Sequence, residues 1–255
     1  MTGATGSVAT PRADSLVWIS GATTGLGSGL ARTCPYQNAR IINLSRSPHP
    51  DLDNVSFDLA DPGTWGAVRE SFTRELTAFR GTRVIFVHNA FASGTTGFAG
   101  EVDPDVYYRD VIGNSAAPLV LADWFIRAVG PGYESGLVLM SSAAARMPIE
   151  GRSVYCAAKA GVEHWVRAVR RERARRGAGP WVVAVRPGFV DSPSVRLEAT
   201  LDPSVYPIAP ALRKGLDDGE ALHPDDAARA IWAALPPPAD TSVLLFGAPP
   251  SGLAR

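Results

Sequence analysis

The chain has 255 residues and a mass of 26.9 kDa, which suits one large domain or two small ones. Its 25 basic and 25 acidic residues give a formal net charge of +0, so nothing electrostatic indicates nucleic acid or an anionic membrane as a partner. No apolar run approaches the roughly 18 residues of a membrane-spanning helix. Residues 1–14 lack the layout of a secretion signal, and Cys34 and Cys156 are the only cysteines. These features predict a cytoplasmic globular protein without a disulfide scaffold or a cysteine-rich zinc site.

Short apolar runs alternate with longer helical patterns along the chain. The predicted strands occupy residues 16–19, 41–44, 84–87, 137–140, 181–185 and 243–246, with a further short strand before Asp58. The predicted helices occupy residues 25–33, 62–79, 104–129, 153–176 and 224–235; three of them begin at an Asp-Pro or His-Pro pair. Continuous apolar strands are expected where helices cover both faces of a sheet. The alternation therefore predicts an α/β fold, a single Rossmann-type doubly wound parallel β-sheet of about seven strands.

No linker, repeat or change of composition divides the chain. We therefore predict a single domain over residues 15–255, preceded by a flexible N-terminal arm of residues 1–14. Residues 189–219 contain four prolines and only weak periodicity. Because this segment is long for a plain loop, it is expected to be either a lid over a site or a disordered segment.

A glycine-rich turn lies between the first predicted strand and a helix, with the spacing G-x-x-x-G-x-G. The N–H groups and the positive dipole end of such a helix attract a phosphate, and glycine lets the backbone approach it. A simple turn in a glycine-rich chain is the plainer alternative, but the strand-turn-helix context favours a dinucleotide site. The residues concerned are Gly21, Thr23, Thr24, Gly25, Leu26 and Gly27.

A tyrosine and a lysine, Tyr155 and Lys159, are four residues apart on one face of a predicted helix. With two lysines in the chain, about 0.05 such pairs are expected by chance. Ser142 follows the strand at 137–140, so it can meet Tyr155 at the carboxyl edge of the sheet. Hydride transfer to a carbonyl leaves an alkoxide that needs a proton and a hydrogen-bond donor. A half-buried tyrosine and a solvated lysine are the alternatives, but the combination favours a catalytic set.

These motifs together resemble the short-chain dehydrogenase/reductase family over about residues 15–247. The resemblance implies that Tyr155 transfers a proton, Ser142 orients the carbonyl, and Lys159 tunes Tyr155 and contacts the nicotinamide ribose. It also implies that Asn114 holds a water linking the lysine to solvent. The predicted catalytic residues are therefore Ser142, Tyr155, Lys159 and Asn114.

The end of the second strand predicts which dinucleotide binds. A carboxylate there accepts from the adenosine ribose hydroxyls, whereas an arginine favours a 2′-phosphate. Ser45 holds the acidic position and Arg46 follows it, so the sequence favours NADP(H) over NAD(H). The alternative is that Arg46 is a solvated loop residue. Asp58 and Leu59 match the family's adenine-binding pair.

Further cofactor contacts follow from the resemblance. Asn89 and Ala90 match the family's N-N-A-G motif, whereas His88 stands in place of its first Asn and Phe91 in place of its Gly. The run after the sixth strand matches the loop that binds the nicotinamide carboxamide, with a hydroxyl here supplied by serine. Its residues are Pro187, Gly188, Val190 and Ser192.

The sequence thus predicts an NADP(H)-dependent oxidoreductase that reduces a ketone or vicinal dicarbonyl to an alcohol, or runs the reverse reaction. Within the family, the layout resembles the sepiapterin reductase and benzil reductase group. The alternative is a non-catalytic dinucleotide-sensing or scaffold protein on the same fold. The four histidines show no ligand spacing, so no metal is expected. By resemblance, the apolar helix segments 119–125 and 162–169 are expected in the interface of a homodimer or homotetramer.

Overall fold

The computed structural model describes residues 13–92 and 95–251. Within these residues, seven strands form one parallel sheet, as the sequence predicts. Their order in the sheet is β3-β2-β1-β4-β5-β6-β7. The order reverses between β1 and β4, which is the switch point of a doubly wound sheet. The strands are β1 Ser15–Ser20, β2 Ala39–Ser45, β3 Asp53–Ser56, β4 Arg83–His88, β5 Glu134–Met140, β6 Trp181–Arg186 and β7 Val243–Leu245.

Helices cover both faces of the sheet and begin at the signals that the sequence carries. Asp103 accepts hydrogen bonds from the N–H groups of Asp105 and Val106, and the His223 ring accepts from the Asp225 N–H, so both predicted N-caps are confirmed. Asp61 instead caps a 3₁₀ turn, and the helix proper begins at Gly66. The helices are α1 Gly25–Arg32, α2 Gly66–Ala78, α3 Pro104–Val111, α4 Ala117–Ala128, α5 Ser153–Arg176, α6 Pro193–Glu198, α7 Ala209–Asp217 and α8 Pro224–Ala233.

The core lies on both faces of the central strands. On one face, the Trp18 ring meets Phe72 and Phe125 edge-on at 5.2 and 6.1 Å between ring centroids. On the other face, Ile19 packs with Leu30 and Trp232, all of them buried. Since β1 is buried on both faces, it needs a continuous apolar run. Replacing the buried Trp18 by alanine would lower the free energy of unfolding by about 3–5 kcal/mol.

Three features differ from the sequence prediction. The predicted helix 104–129 is interrupted by a π-helical turn, Ile112–Ala116, so α3 and α4 are two segments. The segment 189–219 contains two helices, α6 and α7, that weak periodicity did not reveal. The predicted interface stripes are largely core: Leu121, Phe125 and Val166 are fully buried within the chain.

Two further predictions concern the N-terminal arm and membrane-spanning helices. Most of the predicted N-terminal arm, residues 1–12, lies outside the described residues. Across residues 13–92 and 95–251, no helix combines the length and apolar character needed to cross a bilayer.

Candidate active site

A cleft of about 740 Å³ opens at the carboxyl ends of β1, β2, β4, β5 and β6. Open α/β sheets bind ligands at this edge, beside the switch point. The predicted site residues converge here: all of them line the cleft except Gly27, which lies under the glycine turn, and Asn114, which lies behind it.

The glycine turn has the backbone shape that phosphate binding requires. Gly21 and Gly25 have φ of 72° and 51°, in the left-handed region that favours glycine. A Cβ on Gly27 would lie 1.9 Å from the Gly21 carbonyl oxygen, so only glycine lets α1 begin this close to β1. Thr24 is the N-cap of α1, and its neighbours Thr23 and Leu26 also face the cleft.

The ends of β2 and β3 form the rim on the other side of this turn. Arg46 has a side chain that is 76% exposed, with Nη1 3.9 Å from a carboxylate oxygen of Asp58. The Ser45 hydroxyl donates to the Ser47 carbonyl at 2.5 Å. Asp58 also accepts a hydrogen bond from the Ala60 N–H at 2.9 Å, which holds the Asp58-Leu59 turn. The exposed guanidinium of Arg46, with Asp58 as its only ion-pair partner among the described residues, has N–H groups free to bind an added phosphate.

The end of β4 is tied to the glycine turn through Ser20. The Ser20 hydroxyl accepts hydrogen bonds from the N–H groups of Asn89 and Ala90, both at 2.9 Å. With its acceptor sites filled, this hydroxyl donates to His88 Nδ1 at 3.1 Å, which makes His88 the Nε2–H tautomer. Burial, and then the charge of Lys159, lower the pKa of His88 to about 3, so the ring is neutral. The departure at His88 is thus bonded to Ser20 through Nδ1, while its buried Nε2 has no hydrogen-bond partner among the described residues.

Tyr155 and Ser142 meet at the floor of the cleft. Ser142 follows β5 and caps a 3₁₀ turn, and Tyr155 lies in the first turn of α5. Both side chains line the cleft. Burial raises the pKa of Tyr155, while the polar side chain of Ser142 and the charge of Arg152 oppose that rise. Phe91 packs edge-on against the Tyr155 ring at 4.8 Å between centroids, so this second departure borders Tyr155.

Lys159 lies one turn along α5 from Tyr155 and is buried. Its Nζ donates to the Met140 carbonyl at 2.9 Å and lies 5.6 Å from the centroid of the Tyr155 ring. Burial, and then the charge of Arg152, lower the pKa of Lys159 to about 8. The ammonium is thus near the phenol, with one of its three N–H groups committed to the backbone.

Asn114 lies in the π-helical turn, and its side-chain amide is engaged. Its Oδ1 accepts from the Ala92 N–H at 2.8 Å, and its Nδ2 donates to the Ala92 carbonyl at 2.9 Å. This pair fixes the loop that follows β4. The water-holding role that the resemblance implies for Asn114 stays a prediction.

The loop after β6 closes one end of the cleft. Gly188 has φ of 82°, and a Cβ there would lie 2.4 Å from the Phe246 carbonyl oxygen, so the turn requires glycine. The Ser192 hydroxyl caps α6 by accepting from the Val195 N–H at 3.3 Å, and it keeps its own O–H for a ligand. Pro187 and Val190 line the cleft on either side.

A buried carboxylate that the sequence analysis did not single out supports this loop. Glu163 accepts hydrogen bonds from Arg186 at 2.6 and 2.8 Å and from the Ser141 hydroxyl at 2.8 Å. Burial by itself raises the pKa of Glu163, but these hydrogen bonds outweigh it and hold the pKa below its usual range. Glu163 follows Lys159 by four residues, the same spacing that links Tyr155 and Lys159, so helical periodicity alone could have placed it on this face of α5. The network joins α5, β5 and β6 under the cleft.

Comparison with known proteins identifies the family. The family model for short chain dehydrogenases matches residues 15–200. Among curated proteins, a benzil reductase ((S)-benzoin forming) of Bacillus cereus is 24% identical over 233 residues, covering 84% of this chain and 91% of that protein.

Solved structures show the same fold. A short-chain dehydrogenase/reductase from Burkholderia vietnamiensis is 29% identical, with a TM-score of 0.61, covering 68% of this chain and 84% of that one. A short chain dehydrogenase from Burkholderia cenocepacia J2315 in complex with NADP is 20% identical, with a TM-score of 0.69, covering 92% and 89%. The sequence match and the fold together make this chain a member of the short-chain dehydrogenase/reductase family of oxidoreductases.

Proposed function

We propose that this protein is an NADP(H)-dependent carbonyl reductase that interconverts a ketone or vicinal dicarbonyl and the corresponding secondary alcohol. The observation that carries the proposal is the convergence of the Ser142 and Tyr155 side chains with the buried ammonium of Lys159 in one cleft, where Lys159 Nζ lies 5.6 Å from the Tyr155 ring centroid. A phenol, a hydroxyl and a cation at one point supply proton transfer and oxyanion stabilisation.

The glycine turn and the rim fit a dinucleotide phosphate. The close approach at Gly27 and the left-handed Gly21 and Gly25 leave backbone N–H groups at the start of α1 open to an anion. Arg46 is exposed at the end of β2, where Ser45 offers no carboxylate to repel a 2′-phosphate. The complexes of family relatives with NADP support the same choice of cofactor.

Each catalytic side chain has one task in this proposal. The reduced nicotinamide supplies the hydride. The Ser142 hydroxyl donates a hydrogen bond to the substrate carbonyl oxygen, and the Tyr155 phenol gives its proton to that oxygen as the negative charge develops. The ammonium of Lys159 stabilises the phenolate that remains, because an opposite charge nearby favours the ionised form.

The lining of the substrate end of the cleft suits an unsaturated or aromatic carbonyl compound. Aromatic and apolar side chains line it, namely Phe91, Met147, Ile149, Tyr206 and Leu212. The similarity to a benzil reductase makes vicinal dicarbonyls the first class to examine. The helices α6 and α7 border this end, so we assign the segment 189–219 the role of a lid.

We also infer a homodimer or homotetramer, on the family resemblance. The segments first expected in the interface are mostly core, whereas α3 carries exposed apolar side chains at Val106, Tyr108 and Val111. Light scattering on the purified protein gives the subunit number, and a monomer at micromolar concentration would contradict this inference.

The test of the function is a cofactor-consumption screen. Purified protein is mixed with NADPH or NADH and a panel of vicinal dicarbonyls, simple ketones and pteridines, with carbonyl-free blanks. We expect loss of NADPH absorbance with at least one dicarbonyl or ketone, and slower turnover with NADH. Binding of NADPH without turnover across the panel would instead support the sensing or scaffold alternative.

A further inference from the structure

A buried arginine lies against the proton-transfer tyrosine. Arg152 immediately precedes α5, and its residue is 5% exposed. Its guanidinium carbon lies 4.9 Å from the centroid of the Tyr155 ring, 5.5 Å from that of Phe91 and 5.8 Å from that of Tyr206. Three aromatic rings therefore surround a permanent positive charge at the floor of the cleft.

A glutamate from α6 holds this arginine in place. Arg152 Nη2 is 2.5 Å from Glu198 Oε1, and the Tyr206 hydroxyl donates to Glu198 Oε2 at 3.1 Å. Arg152 Nη1 is also 3.4 Å from the Thr95 carbonyl oxygen. The pair links the start of the catalytic helix to the first helix of the proposed lid.

Stability alone does not account for this arrangement. Removing two charges from water offsets most of the attraction between them, and well-packed apolar residues are often as stable as a buried ion pair. In addition, Arg152 Nε is buried and has no hydrogen-bond partner among the described residues, an unfavourable feature for a purely structural arginine. Its placement against the tyrosine suggests a role in the chemistry.

Tyr155 has cations on two sides. Lys159 Nζ is 5.6 Å from the ring centroid, along α5, while the guanidinium of Arg152 approaches from the N-terminal side of the helix. Lys159 can lose its charge near neutral pH, whereas an arginine in a protein stays charged. The arginine therefore keeps a positive charge beside the phenol at every pH at which the enzyme works.

We propose that Arg152 is a positioning residue for proton transfer: its guanidinium, held against the Tyr155 ring by Glu198, stabilises the phenolate form, and Glu198 partly offsets that effect. The proposal rests on the carbonyl reductase function. During reduction, the Tyr155 O–H bond breaks, its electron pair stays on the phenolate, and the new O–H bond forms on the substrate oxygen. The hydride comes from the reduced nicotinamide cofactor, so atoms and electrons balance.

Several charged or titratable groups surround Tyr155, and their signs fix the expected shifts. At the pH of the titration, the positive group is Arg152 before α5, because Lys159 on α5 has a pKa of about 8 and is then uncharged; the negative group is Glu198 on α6. Cys156 is the next residue along α5, and Tyr206 follows α6; burial raises the pKa of Tyr206, so its phenol is neutral. His88, which faces Lys159 from β4, is also neutral. Removing the arginine charge must disfavour the phenolate, and removing the glutamate charge must favour it.

The experiment measures the ionisation of Tyr155 directly. Tyrosinate absorbance is titrated in the wild type and in Arg152→Gln, Arg152→Lys and Glu198→Gln, each corrected by the same protein carrying Tyr155→Phe. The matched control is Arg229→Gln, which removes an arginine from the exposed Arg229–Asp226 pair on α8. At a fixed pH of about 10, the ionised fraction of Tyr155 is expected to order as Glu198→Gln above wild type above Arg152→Gln.

Arg152→Lys keeps the positive charge, so its ionised fraction of Tyr155 is expected to stay near that of the wild type. Removing a charge at this distance is expected to shift the pKa of Tyr155 by about one unit or more. Shifts of Arg152→Gln and Glu198→Gln in the same direction, or no shift in either, would overturn the proposal, because a structural pair damages the site equally from both ends. Should Arg152→Gln not fold, Glu198→Gln decides alone: a higher ionised fraction supports the proposal and an unchanged one overturns it. The titration needs no turnover, so a negative carbonyl screen would refute the function separately.

Discussion

The ammonium of Lys159 donates a 2.9 Å hydrogen bond to the carbonyl of Met140, the last residue of β5. This contact ties α5 to the strand that leads to Ser142. Burial, and then the charge of Arg152, lower the pKa of Lys159 to about 8, so the fold disfavours the charged form of this side chain.

Replacement of Lys159 should therefore separate activity from stability. We expect Lys159→Met to lower kcat by about a hundredfold or more, since the phenolate of Tyr155 loses its neighbouring cation. Thermal unfolding at pH 7 should show a protein at least as stable as the wild type, because an apolar side chain suits the buried position. A variant that keeps its kcat, or that loses activity only by unfolding, would contradict the assigned role.

Arg46 should decide cofactor preference. A charge-assisted hydrogen bond to a phosphate is worth about 1.5–3 kcal/mol. We therefore expect Arg46→Ala to weaken NADPH binding by roughly ten- to a hundredfold while NADH binding changes little, as measured by fluorescence titration. Arg229→Ala, on the exposed surface of α8, serves as the control for charge removal. Equal losses for the two cofactors would exclude a contact with the 2′-phosphate.

Two glycine-to-alanine variants test the glycine turn. Gly27→Ala places a Cβ 1.9 Å from the Gly21 carbonyl oxygen, so we expect a loss of about 1–3 kcal/mol in unfolding free energy and weaker NADPH binding. Gly161→Ala, in the middle of α5, has open space around the added Cβ and should gain roughly 0.5–1 kcal/mol. Urea unfolding measures both. An unchanged unfolding free energy for Gly27→Ala would contradict the inference that close packing requires glycine at this position.

His88 should make the protein sensitive to acid. Its pKa is about 3 in the fold and about 6.5 when unfolded, so between these values the unfolded chain binds the extra proton. Stability from the neutral ring is thus complete above the unfolded value and is lost as pH falls, by about 2 kcal/mol between pH 7 and 5. We expect His88→Asn to flatten this part of the stability curve in urea unfolding. An unchanged slope would indicate that other groups cause the acid loss.

The parts of the molecule that local patterns specify were predictable. A strand, a glycine turn and a helix are contiguous in sequence, and the pair Tyr155 and Lys159 depends only on helical periodicity. The α/β alternation fixed the parallel sheet for the same reason, and the structure confirms it. The start of α6 was also predictable, since Ser192 followed by proline is a helix N-cap of the same kind as those that predicted α3 and α8.

The remaining features depend on contacts that periodicity does not carry. The π-helical turn adds one residue to a helix without changing its composition, so the interruption at Asn114 had no pattern to reveal it. Arg152 and Glu198 are 46 residues apart in sequence and meet only when α6 folds over the cleft. The stripe around Val166 shows the converse: an apolar helix face fits a core and an interface equally well until the neighbours are known.

The most direct test of the central claim is the Tyr155→Phe variant, assayed for NADPH-dependent reduction of the best carbonyl substrate and for NADPH binding in parallel. The substitution removes one oxygen and leaves the packing against Phe91. The account predicts loss of turnover by at least about a hundredfold, with NADPH affinity within a few-fold of the wild type. Retained turnover would contradict it, because the phenol would then not be the source of the proton.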